Sequence, residues 1–287
     1  MKIAVVGAGR VGTAVAVLLR RAGHEIIAVS GREATATRAS TYLPGVAVIG
    51  SAEASRQAEL VFVSVPDDRL APTVGELSAT GAFVPGSWVA HLSGANGLTV
   101  LEPARDAGAR RLAIHPLQTF PDVESAIASI PGCWFAVTAD DADGDRVGAE
   151  LARDLGATPF PLADDKRALY HAAAVFASND VVGVSAVAER LFADAGVPDA
   201  GAAMHPLQLA TIRNVGRVGA GTALTGPAVR GDAGTIERNL EALEADAPDV
   251  VEAYVVLCRV ALDLAVGSGR LAPEGREAVE RVLQRWT

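Results

Sequence analysis

Through the first half of the chain, short continuous apolar runs alternate with longer segments of helical spacing. The runs are Lys2-Ile-Ala-Val-Val-Gly7, then residues 25–30, 60–65, 88–92, 111–114 and 133–138, each set off by glycine or proline. Runs this short, without polar alternation, fit parallel strands covered on both faces. The rhythm predicts an α/β domain built on a doubly wound, mostly parallel sheet. It stops after Pro159-Phe-Pro161. Beyond that point, helical spacing and turn residues predict helices over 164–195, 206–216, 232–245, 250–267 and 273–286. The expected organisation is a Rossmann-type domain over residues 1–162 and an all-α domain over residues 163–287.

The first strand leads directly into Gly7-Ala-Gly9-Arg10-Val11-Gly12 and an apolar helix. A GxGxxG pattern is common by chance, but between strand and helix it reads as a dinucleotide-binding loop. Gly7 permits the tight turn, Gly9 lets a pyrophosphate approach the backbone, and Gly12 allows close helix–strand packing. The backbone of Arg10 and Val11 opens the helix, whose N-terminus favours phosphate. At the end of the second strand stands Ser30-Gly31-Arg32, with no carboxylate before Glu33. Serine and arginine, with Arg10 in support, suit a 2′-phosphate, so NADP is expected in preference to NAD.

Ligands of such sheets lie beyond the carboxyl ends of the strands. Three loops are therefore expected to line one crevice: Val65-Pro66-Asp67-Asp68, His91 to Asn96, and His115 to Phe120. Val65, Pro66, His91 and Ser93 are expected beside the cofactor, and His115 toward the substrate. For either histidine alone, a loop-capping role is as good a reading.

The stretch DDKRALYHAAAVFASND, residues 164–180, reads as buried helix, yet carries Lys166, Tyr170, His171, Ser178 and Asn179. Polar groups in a buried helix need partners. Lys166 and Tyr170 are four apart and share a face; His171 and Ser178 are seven apart and share a neighbouring one. This helix is expected to wall the substrate site. Lys166 would donate a proton or stabilise an oxyanion, with Tyr170 or His171 as its deputy. Ser178 and Asn179 would orient the substrate. Lys166 as ordinary surface charge beside Asp164 and Asp165 carries equal weight. Within Leu224-Thr-Gly-Pro-Ala-Val-Arg-Gly-Asp232, Thr225 and Arg230 could grip a carboxylate, with Asp232 as a helix N-cap. The plainer reading is an interhelix connection with Arg230 in an ion pair.

Composition narrows the classes. With 287 residues and a net charge of −9, and without a basic cluster, a nucleic-acid partner is not expected. Two cysteines far apart suggest neither disulfides nor a cysteine metal site, and no ligand spacing surrounds the histidines. No apolar run reaches the roughly 18 residues of a spanning helix. A cytoplasmic protein with a small-molecule substrate and no membrane partner is expected.

The order GAGRVG, VSVPDD, HLSGA, IHPLQTF, KRALYHAAAVFASN and LTGPAVRGD resembles a known group. These are Rossmann-like reductases with a C-terminal helical domain of unknown function, in the 6-phosphogluconate dehydrogenase-like superfamily. Ketopantoate reductase, pyrroline-5-carboxylate reductase and prephenate dehydrogenase are the wider relatives. The resemblance implies a lysine on the first helix after the sheet domain, which Lys166 matches. An asparagine is then expected four residues later, where this chain has Tyr170. IHPLQTF stands where prephenate dehydrogenases carry a His-Pro loop, which implies a binding role for His115. The implied activity is NADP-dependent reduction of a small carboxylated carbonyl, ketopantoate included. Cyclic imine reduction, prephenate-type oxidation, a deazaflavin-dependent NADP oxidoreductase and a non-catalytic NADP-binding regulator are the alternatives. Related helical domains imply a homodimer.

Overall fold

The computed structural model describes residues 1–286. Eight strands form one sheet: β1 (Lys2–Val6), β2 (Glu25–Ser30), β3 (Ala47–Val48), β4 (Leu60–Val63), β5 (Trp88–His91), β6 (Arg110–Pro116), β7 (Trp134–Ala139) and β8 (Thr158–Pro161). Their spatial order is β3-β2-β1-β4-β5-β6-β7-β8. β1 to β6 run parallel, while β7 lies antiparallel to β6 and β8 runs parallel to β7. The sheet is the doubly wound, mostly parallel one the apolar rhythm predicts.

Successive strand residues face opposite sides, and both sides are covered. Ile3, Val5, Phe62, Leu112 and Ile114 belong to one buried cluster, with the helix Arg10–Arg21 and Leu151 of the helix Ala142–Asp154. Ala4, Val6, Val61, Val63 and Val89 belong to a second cluster, with Leu70, Val74 and Leu77 of the helix Asp67–Ala79. Burial on both faces explains why the runs lack alternation. Two strands escape the apolar pattern. β3 is two residues long and exposed, and β8 reads Thr-Pro-Phe-Pro. Both are edges, where such sequences are tolerated.

The chain separates into two compact units, Met1–Asn179 and Asp180 onward. The residue-162 boundary expected from sequence differs from this by one helix. Arg167, fully buried, fastens the helix Arg167–Ala177 to the sheet unit. The continuous helix expected over 164–195 is three pieces: a 3₁₀ turn Asp164–Lys166, the helix Arg167–Ala177 and the helix Asn179–Asp194. The backbone breaks at Ser178, with φ −133° and ψ −72°. Serine and asparagine compete for backbone hydrogen bonds, and Asp180 favours the first turn of a new helix.

The first of these helices is not the buried one expected: only Arg167 on it is buried, and Leu169 and Phe176 are more than two thirds exposed. By length and composition the stretch Asp164–Asp194 could cross a membrane: an 18-residue window within it has mean hydropathy 1.2, and none of that window is buried. The break leaves pieces of 11 and 16 residues, each shorter than the ~20 of a span.

The second unit is helical. Ile236, Leu240, Val255, Leu262 and Val279 centre its core, drawn from the helices Ala233–Asp246, Val251–Gly267 and Pro273–Leu283. The helix expected from 206 starts at Ala200, because Asp199 caps it by accepting from Ala202 N–H, and Pro206 lies inside it. Asp232 caps the next long helix as expected, accepting from Thr235 N–H at 3.0 Å.

Candidate active site

At Gly7 the backbone has φ +84°, and a Cβ would lie 2.6 Å from Val65 Cγ1 and 2.7 Å from the Ser64 carbonyl oxygen. Any side chain there meets both strain and collision. A Cβ on Gly12 would lie 2.9 Å from Ser64 Oγ, so that glycine lets the helix press against the end of β4. Gly9 differs: its nearest neighbour would be 3.9 Å away, and the space above it is open. Gly9 is also the N-cap of the helix Arg10–Arg21, and no side chain caps that end. Free N–H groups at a positive dipole end, over a residue without a side chain, form a cradle for phosphate.

Beyond β2, Ser30 is buried and its hydroxyl pairs with Ser51 Oγ at 2.8 Å, while Arg32 is exposed. The sequence reading missed Arg38. Its Nε donates to the Ala8 carbonyl at 3.0 Å, which places a second guanidinium against the glycine loop. Helical spacing from Thr35, the residue packed under Gly31, was the available signal.

A cleft of about 380 Å³ starts at this loop. Gly9, Arg10 and Val11 line one side, Val65, Pro66 and Asp67 the middle, and Leu92, Ser93, His115, Gln118 and Phe120 the far end. All three loops expected to share a crevice therefore do so. They lie beyond β1, β4, β5 and β6, where the strand order reverses between β1 and β4, the usual ligand position of such sheets.

The far wall is built from side chains. His115, near the end of β6, shares a hydrogen bond between its Nδ1 and the Tyr170 hydroxyl, 2.8 Å away. Burial, then the charge of Arg167, push the His115 imidazole down to about 3, so it is neutral at ordinary pH. Burial pushes the Tyr170 phenol up to about 12, so it keeps its proton. The rings meet edge-on with centroids 5.5 Å apart, and His171 approaches His115 at 6.1 Å. His171 Nδ1 is buried without a partner among the described residues. Both histidines close over Gly94, whose Cβ would lie 2.6 Å from His171 Nδ1 and 2.8 Å from His115 Nε2. A buried orphan nitrogen beside a cleft is a contact point for a ligand or a water.

Arg167 holds this wall together, and sequence reasoning passed over it between Lys166 and Tyr170. Its guanidinium donates to the carbonyls of Ser93, Asn96 and Ala113 and to Thr138 Oγ1. Asp164 assists by accepting from Leu98 N–H at 2.8 Å. The helix is thereby tied to β6, to β7 and to the loop after β5.

Other expected residues stand apart. His91 is fully buried: Nε2 donates to the Gly97 carbonyl at 3.0 Å, and Nδ1 accepts from Ser93 N–H at 3.2 Å. It shapes the loop from beneath, the capping role weighed for it, and burial holds it at about 4. Lys166 is 62% exposed and pairs with Asp165 at 2.9 Å, outside the cleft, because the 3₁₀ turn precedes the helix that faces the wall. Ser178 lies at the helix break and Asn179 is exposed; neither lines the cleft. Thr225 and Arg230 belong to the second unit, and both are exposed there, Arg230 beside Asp232 rather than in an ion pair. Among the described residues no cluster of three or more His, Cys, Asp or Glu could hold a metal.

Residues 1–116 match a family described as a Rossmann-like domain, and residues 133–261 match the domain of unknown function DUF2520. The chain therefore joins a Rossmann-like domain to a DUF2520 domain. Solved structures agree. An NADP oxidoreductase, so described, from Bacteroides fragilis is similar over 91% of this chain and 98% of its own, with 25% identity and a TM-score of 0.76. A protein from Thermotoga maritima is similar over 92% and 98%, at 22% identity and a TM-score of 0.70. An imine reductase from Myxococcus stipitatus, solved with NADP⁺, shares the fold over 100% and 99%, at 17% identity and a TM-score of 0.66. In this Rossmann-like DUF2520 protein the two matches divide the far wall. His115 closes the first, while Arg167, Tyr170 and His171 lie in the second, so the Tyr170–His115 hydrogen bond joins the two family domains. The DUF2520 match also includes β7 and β8, which belong to the sheet.

Proposed function

We propose that the protein is an NADP-dependent oxidoreductase that reduces a small carboxylated carbonyl compound. One observation carries this reading: a single cleft runs from an open glycine cradle to His115, which is hydrogen-bonded to Tyr170 behind it. The cradle fits a dinucleotide, because Gly9 leaves room and the uncapped helix end supplies donors. The 2′-phosphate form is favoured because Arg32 and Arg38 flank the end of β2 while its nearest carboxylate, Glu33, is exposed at a helix start. The Bacteroides protein, described as an NADP oxidoreductase, supports the same choice.

Gly9 and the helix end at Arg10 and Val11 would hold a nicotinamide dinucleotide, which when bound would supply the hydride. The protein then has to protonate the alkoxide oxygen. With Tyr170 donating to Nδ1, the His115 proton resides on Nε2. His115 gives the Nε2 proton to the alkoxide and takes the Tyr170 proton at Nδ1. The phenolate regains a proton from solvent. The step suits a neutral imidazole and a protonated phenol, the forms that burial enforces here. His171 Nδ1 offers the substrate a further contact. This assigns to Tyr170 and His115 the role expected of Lys166.

We propose also that the protein works as a homodimer. Val182, Leu207, Ile212, Val256 and Val260 are each more than half exposed on helices of the second unit. Exposed apolar side chains of this kind suit an interface, and a second copy supplies the same chemistry. Light scattering giving a mass near twice 29.4 kDa supports it, and a monomer refutes it.

NADPH consumption against a panel of 2-oxo acids and cyclic imines tests the activity. Turnover of a 2-oxo acid, with NADPH preferred to NADH, is the expected result. NADPH binding without turnover of any compound would favour a non-catalytic regulator.

A further inference from the structure

Arg167 heads the fully buried side chains by size, at 1% exposure. Its guanidinium reaches the Asn96 carbonyl at 2.5 Å and Thr138 Oγ1 at 2.9 Å, with the carbonyls of Ala113 and Ser93 completing the set. Every acceptor is neutral. Among the described residues no carboxylate lies within the 4.0 Å of an ion pair with it. Asp164 and Asp67, both exposed, act on it only from further away. A buried cation is normally paired, because losing hydration costs several kcal/mol that neutral dipoles offset only in part. In a water-poor surrounding its potential also reaches further than it would in solvent.

That potential acts at the histidine end of the cleft. Ser93, one of its acceptors, lines the cleft, and Ala113 stands two residues before His115 on β6. His91, His115 and the Tyr170 phenol around it keep their uncharged forms, and the cleft-lining carboxylate of Asp67 is exposed. Among the described residues the histidine end therefore has the buried cation of Arg167, no buried carboxylate beside it, and an orphan nitrogen at His171. A cationic iminium entering there meets repulsion; a carboxylate or a developing oxyanion meets attraction.

We propose that Arg167 is the positioning residue that sets the charge preference of this cleft. It holds the 93–96 loop and the Tyr170 helix on the sheet, and it makes the histidine end accept 2-oxo acid anions in preference to cyclic iminium cations. This rests on the oxidoreductase reading above and names the group that selects its carboxylated substrates over cyclic imines.

Calorimetric titration of NADP⁺-saturated protein with two small probes, oxamate as anion and pyrrolidinium as cation, tests it. Wild type and Arg167→Lys should bind oxamate at least tenfold more tightly than pyrrolidinium. In Arg167→Gln the ratio should fall toward one. Equal or reversed affinities in wild type, no oxamate binding, or a folded Arg167→Gln that keeps the wild-type ratio would each overturn the proposal. Should Arg167→Gln not fold, the ratios of wild type and Arg167→Lys decide. Failure of NADP⁺ to bind would count against the oxidoreductase reading instead, and the same probe ratio is then required of the cofactor-free protein.

Discussion

The two ends of the cleft are made in opposite ways. The glycine end is backbone: Gly7, Gly9 and Gly12 act by what they lack, within six consecutive residues. The histidine end is a side-chain network in which Ser93, His115, Thr138, Arg167 and Tyr170 come from segments up to 77 positions apart. The first kind of site needs only a local turn, and binds whatever anion fits. The second exists only when β5, β6, β7 and a helix are all in place, and it can discriminate between ligands. A general cofactor site and a specific reacting end are what these two constructions suit.

Disrupting the network should do more damage than altering the loop. Arg167→Met leaves four acceptors without their donor, three of them carbonyls. At about 1–3 kcal/mol for each buried unsatisfied group, partly offset by relaxation, unfolding free energy should drop by about 3 kcal/mol or more. Urea denaturation measures this, and a loss below about 1 kcal/mol would show that the anchor is dispensable. Gly9→Ala acts on the other end. Its φ of −77° and open surroundings tolerate a methyl group, so the melting temperature should hold. The methyl occupies the phosphate approach, and NADPH affinity should fall on the order of 100-fold, equivalent to about 2.7 kcal/mol. Unchanged affinity would place the cofactor elsewhere.

Acid should also separate the two ends. His91 and His115 have folded values of about 4 and about 3, below the 6.5 of an exposed histidine. A depressed value means the unfolded chain takes up protons first. The stabilisation is complete above pH 6.5 and is lost progressively between 6.5 and about 3. By pH 5 each histidine should cost about 2 kcal/mol of stability. Urea midpoints at pH 7 and pH 5 measure the loss, and His115→Gln should reduce it. Equal midpoints would mean that neither imidazole is held neutral. The smallest effect belongs to Lys166→Ala: an exposed ion pair with Asp165 is worth little, and the urea midpoint should not move measurably.

The same contrast explains what could be read from the sequence. Six of the eight strands and the glycine loop were legible, because continuous apolar runs and a Gly spacing express burial and local turn geometry directly. The three cleft-lining loops followed from strand ends. β3 and β8 were not visible, since edge strands this short carry no periodic signal. Tyr170, His171 and His115 could be singled out as polar groups in apolar settings, but their pairing could not, because it depends on a helix 55 residues further on. Lys166 attracted attention by residue type, yet it precedes the helix that faces the wall. Arg167 was overlooked because an arginine at a helix start usually reads as solvated charge, and only the tertiary fold buries it.

The central claim is that the Tyr170–His115 pair handles the proton at the reacting end. Its most direct test is steady-state NADPH oxidation, on whichever 2-oxo acid the panel identifies, by wild type, Tyr170→Phe and Lys166→Ala. Removing the phenol proton should lower kcat about 100-fold, with NADPH affinity unchanged, while Lys166→Ala stays within twofold of wild type. Wild-type turnover in Tyr170→Phe, together with loss of turnover in Lys166→Ala, would contradict it.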